Sequence, residues 1–291
     1  MKVAFVGIGA MGTPMAACIA RAGHTLTLYD SARERAQKVA TEHNCRAAAS
    51  IDELGDSEFV VTMLPTGQIV RDLYLREGLA KKLRRGTIAV DMSSSDPTGT
   101  RALGAELAAH GITLIDAPVS GGVPRAIQGT LTIMIGGDDP AAIERARPLL
   151  RAMGDRLFDT GGLGSGHAMK ALNNFVAAAG FAACAEALLA GQRFGLDPGR
   201  IVEIMNVSTG RSFHTDVVLQ EHVVGGKFAT GFQLGLLAKD VRIAADLARD
   251  LRLDAPVARL VSQRFESARD ALGYGRDHTE AIKAWDKNSD P

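Results

Sequence analysis

Cysteine is scarce in this chain: Cys18, Cys45 and Cys184 are the only three among 291 residues. They have no CxxC spacing and no paired histidines beside them. An odd, sparse set argues against a disulfide framework or structural zinc and fits a reducing cytoplasm, the expected location. Net charge is also missing, since Lys+Arg and Asp+Glu both number 33. That removes any whole-chain electrostatic case for nucleic acid or an anionic membrane as partner. The seven histidines form no HExxH-type cluster, so no metal site is expected. The longest wholly apolar run, Phe175 to Ala185, is too short to span a bilayer. Lys2 precedes an apolar run, but Gly7, Gly9 and Gly12 interrupt it, so no secretory signal is read there. A soluble protein is expected, and 46% apolar residues are enough for a sizeable core.

What is present begins at the N-terminus. Residues 2–6 read as a short buried strand. Gly7-Ile8-Gly9-Ala10-Met11-Gly12 follows, then a helical pattern from Pro14 to Ala22, then a strand at Thr25–Tyr29 with Asp30 at its tip. A lone GxGxxG is weak; strand, GxGxxG, helix, strand and acid within about thirty residues is strong. Gly7 permits a tight turn, Gly9 lets backbone approach a pyrophosphate, and Gly12 allows close helix–strand packing. Asp30 suits the hydroxyls of an adenosine ribose and would repel a 2′-phosphate, so NAD is favoured. Arg33 and Arg35 lie just beyond, so NADP stays possible.

The alternation continues. A helix is expected at Arg33–Glu42. A short one follows at Ser50–Leu54, with Ser50 and Glu53 as a capping box. Phe59–Leu64 reads as a strand whose exit carries Leu64, Pro65 and Gln68. In doubly wound sheets ligands gather at carboxyl strand ends, so these three are candidates to line the cofactor. Taken alone, Leu64 and Pro65 are an ordinary strand exit. Ile69–Leu83 should be helical and Thr87–Asp91 a strand. Ser94 in the next loop could reach a ribose or substrate, or cap a helix. Asp96 before Pro97 reads as the cap of a helix over Pro97–His110. A strand at Thr113–Asp116 leads to Ser120-Gly121-Gly122, a hydroxyl beside two exposed amides that could cradle a carboxylate, or form a plain turn. Strand Leu131–Ile135, helix Pro140–Met153 and strand Arg156–Asp159 complete the half. Gly161–Gly164 marks a domain boundary.

After Gly164 the strand signals stop. Helices are read at about 165–194, 198–206, 212–223, 233–251, 256–272 and 277–285. The first carries Lys170 and Asn174, four apart and so on one face. The residues after them are apolar on every side, which predicts burial. A lysine at the mouth of such a helix is easily desolvated, which lowers its pKa and fits it for proton transfer. Alone, it also fits a helix-end lysine reaching to water. Lys239 sits in another apolar helix. Asp240 follows it directly, so the two point about 100° apart and need not pair, and Asp240 could fix a neighbouring helix. Arg211 and His214 fall in a loop whose place is open.

Four motifs in order now resemble the β-hydroxyacid dehydrogenase family, the group of 3-hydroxyisobutyrate dehydrogenase and tartronate semialdehyde reductase, over nearly the whole length. They are Gly7–Gly12, Asp116–Gly122, Gly166–Asn174 and Lys239-Asp240. The resemblance implies a Rossmann domain over residues 1–163, a doubly wound α/β sheet, followed by an all-helical domain over 164–291. It implies Lys170 as general acid/base and Asn174 as substrate holder. Ser120, Gly121 and Gly122 would bind the substrate carboxylate. Leu64, Pro65, Gln68 and Ser94 would contact the cofactor. Lys239 would touch cofactor or substrate, and Phe232 would wall the pocket. The partner would be a small β-hydroxy acid, and the assembly a homodimer or homotetramer. Imine reductases share the architecture but generally lack the lysine. The 6-phosphogluconate dehydrogenases carry a longer helical region than the 128 residues after Leu163. A dinucleotide-binding scaffold without activity is the non-enzymatic alternative, and such relatives lose the lysine too.

Overall fold

The computed structural model describes residues 1–286. Contacts divide it into two units, the first Met1–Lys170 and the second starting at Ala171. The division falls six residues into one continuous helix, Ser165–Phe194.

In the first unit short apolar runs become strands and the amphipathic runs between them become helices. The elements are β1 (Lys2–Val6), α1 (Gly12–Arg21), β2 (Thr25–Tyr29), α2 (Arg33–Glu42), β3 (Arg46–Ala47), β4 (Phe59–Thr62), α3 (Gly67–Leu75), α4 (Leu79–Lys82), β5 (Ile88–Asp91), α5 (Pro97–Ala109) and β6 (Thr113–Asp116). Then come β7 (Val119–Ser120), α6 (Gly122–Gln128), β8 (Leu131–Gly136), α7 (Pro140–Arg151) and β9 (Gly154–Gly161). Strands β1 to β6 pair in parallel in the order 3-2-1-4-5-6, the arrangement of a dinucleotide-binding sheet. Strand β8 runs antiparallel to β6 and β7, and β9 pairs in parallel with β8.

Alternation of side chains along each strand feeds two cores. Val3, Phe5, Val61, Val90 and Ile115 face one, together with α1, α2 and α7. Ala4, Val6, Val60, Ala89 and Leu114 face the other, with α3, α4 and α5. Both faces are covered, which is why these strands read as nearly unbroken apolar runs.

The differences from the sequence reading are local. Helix α1 starts at Gly12, not Pro14, and β4 stops at Thr62, so Leu64 lies in the exit loop. The single helix expected over Ile69–Leu83 is two, broken where Gly78 takes a positive φ of 86°. The two-residue strands β3 and β7 and helix α6 were not expected; elements that short carry no readable period. Ser50 makes no side-chain cap, so the expected box is not formed, and Glu53 accepts instead from the Ala49 N–H at 2.9 Å, one residue ahead of the cap. Asp96 does cap α5, accepting from the Gly99 N–H at 2.5 Å.

The second unit is helical. Helix α8 (Ser165–Phe194) is followed by α9 (Pro198–Asn206), α10 (Leu234–Asp250), α11 (Pro256–Leu272) and α12 (Ala281–Trp285). The stretch His214–Val224, expected as an α-helix, is wound as a π-helix. By length and composition α8 would also suit a bilayer span. One face of it packs in the core: Ala178, Phe181, Ala185 and Leu188 lie with Val202, Leu219, Leu237 and Phe265. Its opposite face does not follow the expectation of all-round burial. Leu172 and Val176 are exposed, because the neighbouring helices cover only one side.

Candidate active site

The glycine-rich turn between β1 and α1 is shaped by close approach. Gly7 has φ +99°, and a Cβ there would lie 2.3 Å from the Met63 carbonyl oxygen. A Cβ on Gly12 would lie 1.8 Å from the Gly7 carbonyl oxygen. At Gly9 an added Cβ would meet nothing within 4 Å, so this backbone is approachable from outside. Ile8, Gly9, Ala10 and Thr13 line a cleft of about 700 Å³ that also touches Arg35. Gly12 and Met15 are buried, while Met11 packs partly against the core. The first turn of α1 has no side-chain cap. An anionic pyrophosphate fits such a turn, because helix N-termini present unpaired amides and the positive end of the dipole.

Asp30 is buried at the end of β2. Its Oδ2 accepts the Ile8 N–H at 2.7 Å, its Oδ1 accepts the Ala32 N–H at 2.8 Å, and the Arg35 guanidinium stands 3.5 Å away. The aspartate therefore also shapes the glycine-rich turn, a role not seen in the sequence. A carboxylate has about four acceptor sites, so ribose hydroxyls remain compatible.

The exits of β4 and β5 hang from one buried carboxylate. Asp91 accepts from Thr62 Oγ1 at 2.9 Å, the Ser93 N–H at 3.1 Å and Ser95 Oγ at 2.8 Å. Ser93 Oγ in turn accepts the Leu64 N–H at 2.9 Å. The loops bearing Leu64, Pro65 and Ser94 are thereby tied together. Ser94 is half-buried and Pro65 exposed. Gln68 is exposed on α3, its amide on Asp72 at 3.0 Å.

Ser120 ends β7, opposite Thr132. Gly121 and Gly122 follow, both exposed and both with positive φ, 129° and 65°. Both glycines lie in the positive-φ region that side-chain-bearing residues rarely adopt, at the start of α6. Lys170 is half-buried in the second turn of α8.

In the second unit Asn174, one turn beyond Lys170 on α8, is buried and donates from Nδ2 to Asp240 Oδ2 at 2.6 Å. Lys239 Nζ stands 3.3 Å from Asp240 Oδ1. The pair that sequence spacing left apart is in contact, because a four-carbon stem can curl back to a neighbour even when Cβ vectors diverge. Asp240 is buried and joins α8 to α10, as expected for it. Phe232 precedes α10, half-buried, its ring 5.9 Å from that of His278. Asp277 straps this loop, accepting from Thr230 Oγ1 at 2.8 Å and the Gly231 N–H at 3.0 Å. His214 is buried, 5.6 Å from Phe181 ring to ring, while Arg211 is exposed and bonded to Asp216.

Sequence reasoning missed Asp91, His167 and the role of Asp116. The available signal was an aspartate closing two buried strands, Asp91 and Asp116, where a charge needs a partner.

A dinucleotide-type sheet with an approachable glycine turn, and a half-buried lysine at the head of a long helix, define a nicotinamide-dependent oxidoreductase. Comparison with known proteins agrees. Residues 2–162 match the model of the NAD-binding domain of 6-phosphogluconate dehydrogenase. Residues 164–285 match that described as NAD-binding of NADP-dependent 3-hydroxyisobutyrate dehydrogenase. The chain is 35% identical to 2-(hydroxymethyl)glutarate dehydrogenase of Eubacterium barkeri, over 99% of this chain and 95% of that one. It is 33% identical to 3-sulfolactaldehyde reductase of Escherichia coli, over 96% and 94%. Among solved structures it is similar to Mycobacterium tuberculosis 3-hydroxyisobutyrate dehydrogenase with L-serine, at TM-score 0.89 and 31% identity, covering 98% and 99%. The chain belongs to the β-hydroxyacid dehydrogenase family and is an NAD(P)-dependent dehydrogenase acting on CH–OH.

Proposed function

We propose that this enzyme interconverts a small β-hydroxy acid and its semialdehyde, with Lys170 as general acid/base. The observation that carries this reading is a half-buried lysine in the second turn of α8, one helical turn before an asparagine held by Asp240. A nicotinamide ring, when bound, accepts or supplies the hydride of the carbinol carbon. Neutral Lys170 Nζ takes the hydroxyl proton as that hydride leaves; in reverse its ammonium returns the proton to the oxygen of the reduced carbonyl. Ser120 and the amides of Gly121 and Gly122 hold the carboxylate. Asn174 and Lys239 fix the other end of the substrate, and Phe232 walls the pocket. Gly7 to Gly12 take the pyrophosphate, with Leu64, Pro65, Gln68, Ser94 and Lys239 along the cofactor. Asp30 favours NAD over NADP through its charge.

The test is turnover of 3-hydroxyisobutyrate, 3-hydroxypropionate, glycerate, serine, threonate and 4-hydroxybutyrate with NAD⁺ and with NADP⁺. Lys170→Ala should lower kcat by about 10²- to 10⁴-fold on any acid that reacts, with NADH binding unchanged. Near-normal turnover by that variant would remove the lysine from the mechanism.

We further infer a homodimer or homotetramer. Its support is the apolar surface of the second unit, where Leu172, Val176, Phe194 and Val207 are exposed on a single chain.

A further inference from the structure

Helix α8 begins without a cap of its own. Gly164 stands at the N-cap position with φ +87° and has no side chain to offer. The job is done from strand β6. Asp116, fully buried, accepts the Gly164 N–H at 2.7 Å on Oδ1 and the His167 N–H at 2.8 Å on Oδ2. His167 is the third helical residue, whose amide a local N-cap side chain normally takes. A carboxylate there also faces the positive end of the helix dipole. The packing is tight enough to dictate glycine on both sides. A Cβ on Gly166 would lie 2.9 Å from Asp116 Oδ2, and one on Gly136 would lie 2.4 Å from Oδ1.

The same turn is tethered a second time. The His167 ring is buried, with Nδ1 2.8 Å from Thr100 Oγ1. That hydroxyl donates its one proton to the Asp96 carbonyl at 2.8 Å, so Nδ1 carries the hydrogen it shares with Thr100. Nε2 lies 3.6 Å from Asp91 Oδ2 and makes no hydrogen bond among the described residues, so the tether is the Thr100 contact. Asp91 is the carboxylate from which the loops of Leu64 and Ser94 hang. Lys170 follows His167 by three residues, about 4.5 Å along the axis and about 60° round it.

We propose that Asp116 is the positioning residue for Lys170, acting through the first turn of α8, and that His167 ties that turn to α5 through Thr100. The inference rests on the acid/base reading of Lys170. It gives the opening residue of the Asp116–Gly122 motif a function separate from the carboxylate cradle of Ser120–Gly122. It also states why the glycine pair Gly164 and Gly166 must precede the lysine. A general base displaced by about 1 Å can cost on the order of 10²-fold in rate, so a loosened first turn should be felt in kcat.

The experiment compares Asp116→Asn, His167→Gln and Lys170→Ala with the unaltered enzyme. Three readouts are taken: steady-state kinetics with NAD⁺ and the fastest acid of the panel above, NADH fluorescence titration, and amide hydrogen exchange over residues 164–172. Asp116→Asn keeps one acceptor and the bulk but loses the second acceptor. It should lower kcat about 10- to 100-fold, leave KM for NAD⁺ within about twofold, and speed exchange in that segment at least about tenfold. His167→Gln should lower kcat about 3- to 10-fold with the same split. Loss of stability alone would lower the yield of folded protein without this separation of kcat from KM. Unaltered kcat and exchange in Asp116→Asn overturn the proposal, as does an equal loss in NADH affinity. If Asp116→Asn does not fold, unaltered kcat in His167→Gln overturns it. If Lys170→Ala retains turnover, it is the acid/base reading that has failed, and the exchange data alone report whether Asp116 anchors the turn.

Discussion

His278 is buried in the second unit among Phe181, Phe232 and His214. Burial pushes its imidazole down to about 4, against an opposing pull from Asp277. Burial lowers His214 as well. The folded form therefore stays neutral over a range where the unfolded chain, titrating near 6.5, takes up protons. Stability from His278 is complete above about pH 6.5, falls as pH drops, and is fully lost below about 4. The shift is worth on the order of 3 kcal/mol. Thermal melting from pH 7.5 to 4.5 should show the decline, and His278→Gln should flatten its slope. A slope unchanged in that variant would mean that other groups govern acid unfolding. None of this was legible beforehand, since burial of a single histidine near the C-terminus leaves no trace in spacing. The glycine-rich turn was legible, because Gly7 and Gly12 answer to contacts with Met63 and Gly7 that only glycine permits.

Elements give the second lesson. Helix α1 meets β1 so closely that Gly12 leaves no room for one carbon. Gly12→Ala should push the helix away from the turn, costing at least about 2 kcal/mol in urea unfolding and weakening NADH binding at least tenfold. Full NADH affinity in a folded Gly12→Ala protein would show that the turn tolerates displacement. Helix α8 was visible end to end as an apolar run opened by two glycines, and its boundaries agree with Ser165–Phe194. Its cap was not visible. Asp116 lies far back in sequence, and no local pattern joins a strand end to a helix start across that distance. The lysine at 239 shows the same limit: helical spacing separates it from Asp240, while side-chain flexibility brings the charges to 3.3 Å.

At the scale of the molecule, each unit has its own core, and the proposed assembly follows from what the second leaves uncovered. Light scattering with size exclusion should return two or four times 30.7 kDa. Val176→Asp should shift the mass downward by placing a charge on the exposed stripe of α8. A monomer at micromolar concentration in the unaltered protein would sink the inference. The apolar composition of α8 predicted burial, yet one side faces outward in the single chain. Composition reports that a surface is apolar and not what covers it.

The residues by themselves determined the parallel sheet, the dinucleotide turn, the break into a helical half and the lysine at the head of α8. Each of these rests on local periodicity or on glycine's steric freedom, and both are written in neighbouring positions. The tertiary structure decided which charges meet: Asp30 on the Ile8 amide, Asp91 beneath two strand exits, Asp116 on the first turn of α8, and Asp240 between Asn174 and Lys239. Those partners lie up to 66 residues apart. A buried carboxylate must find donors wherever the fold brings them, so the pairing exists only once the chain has folded.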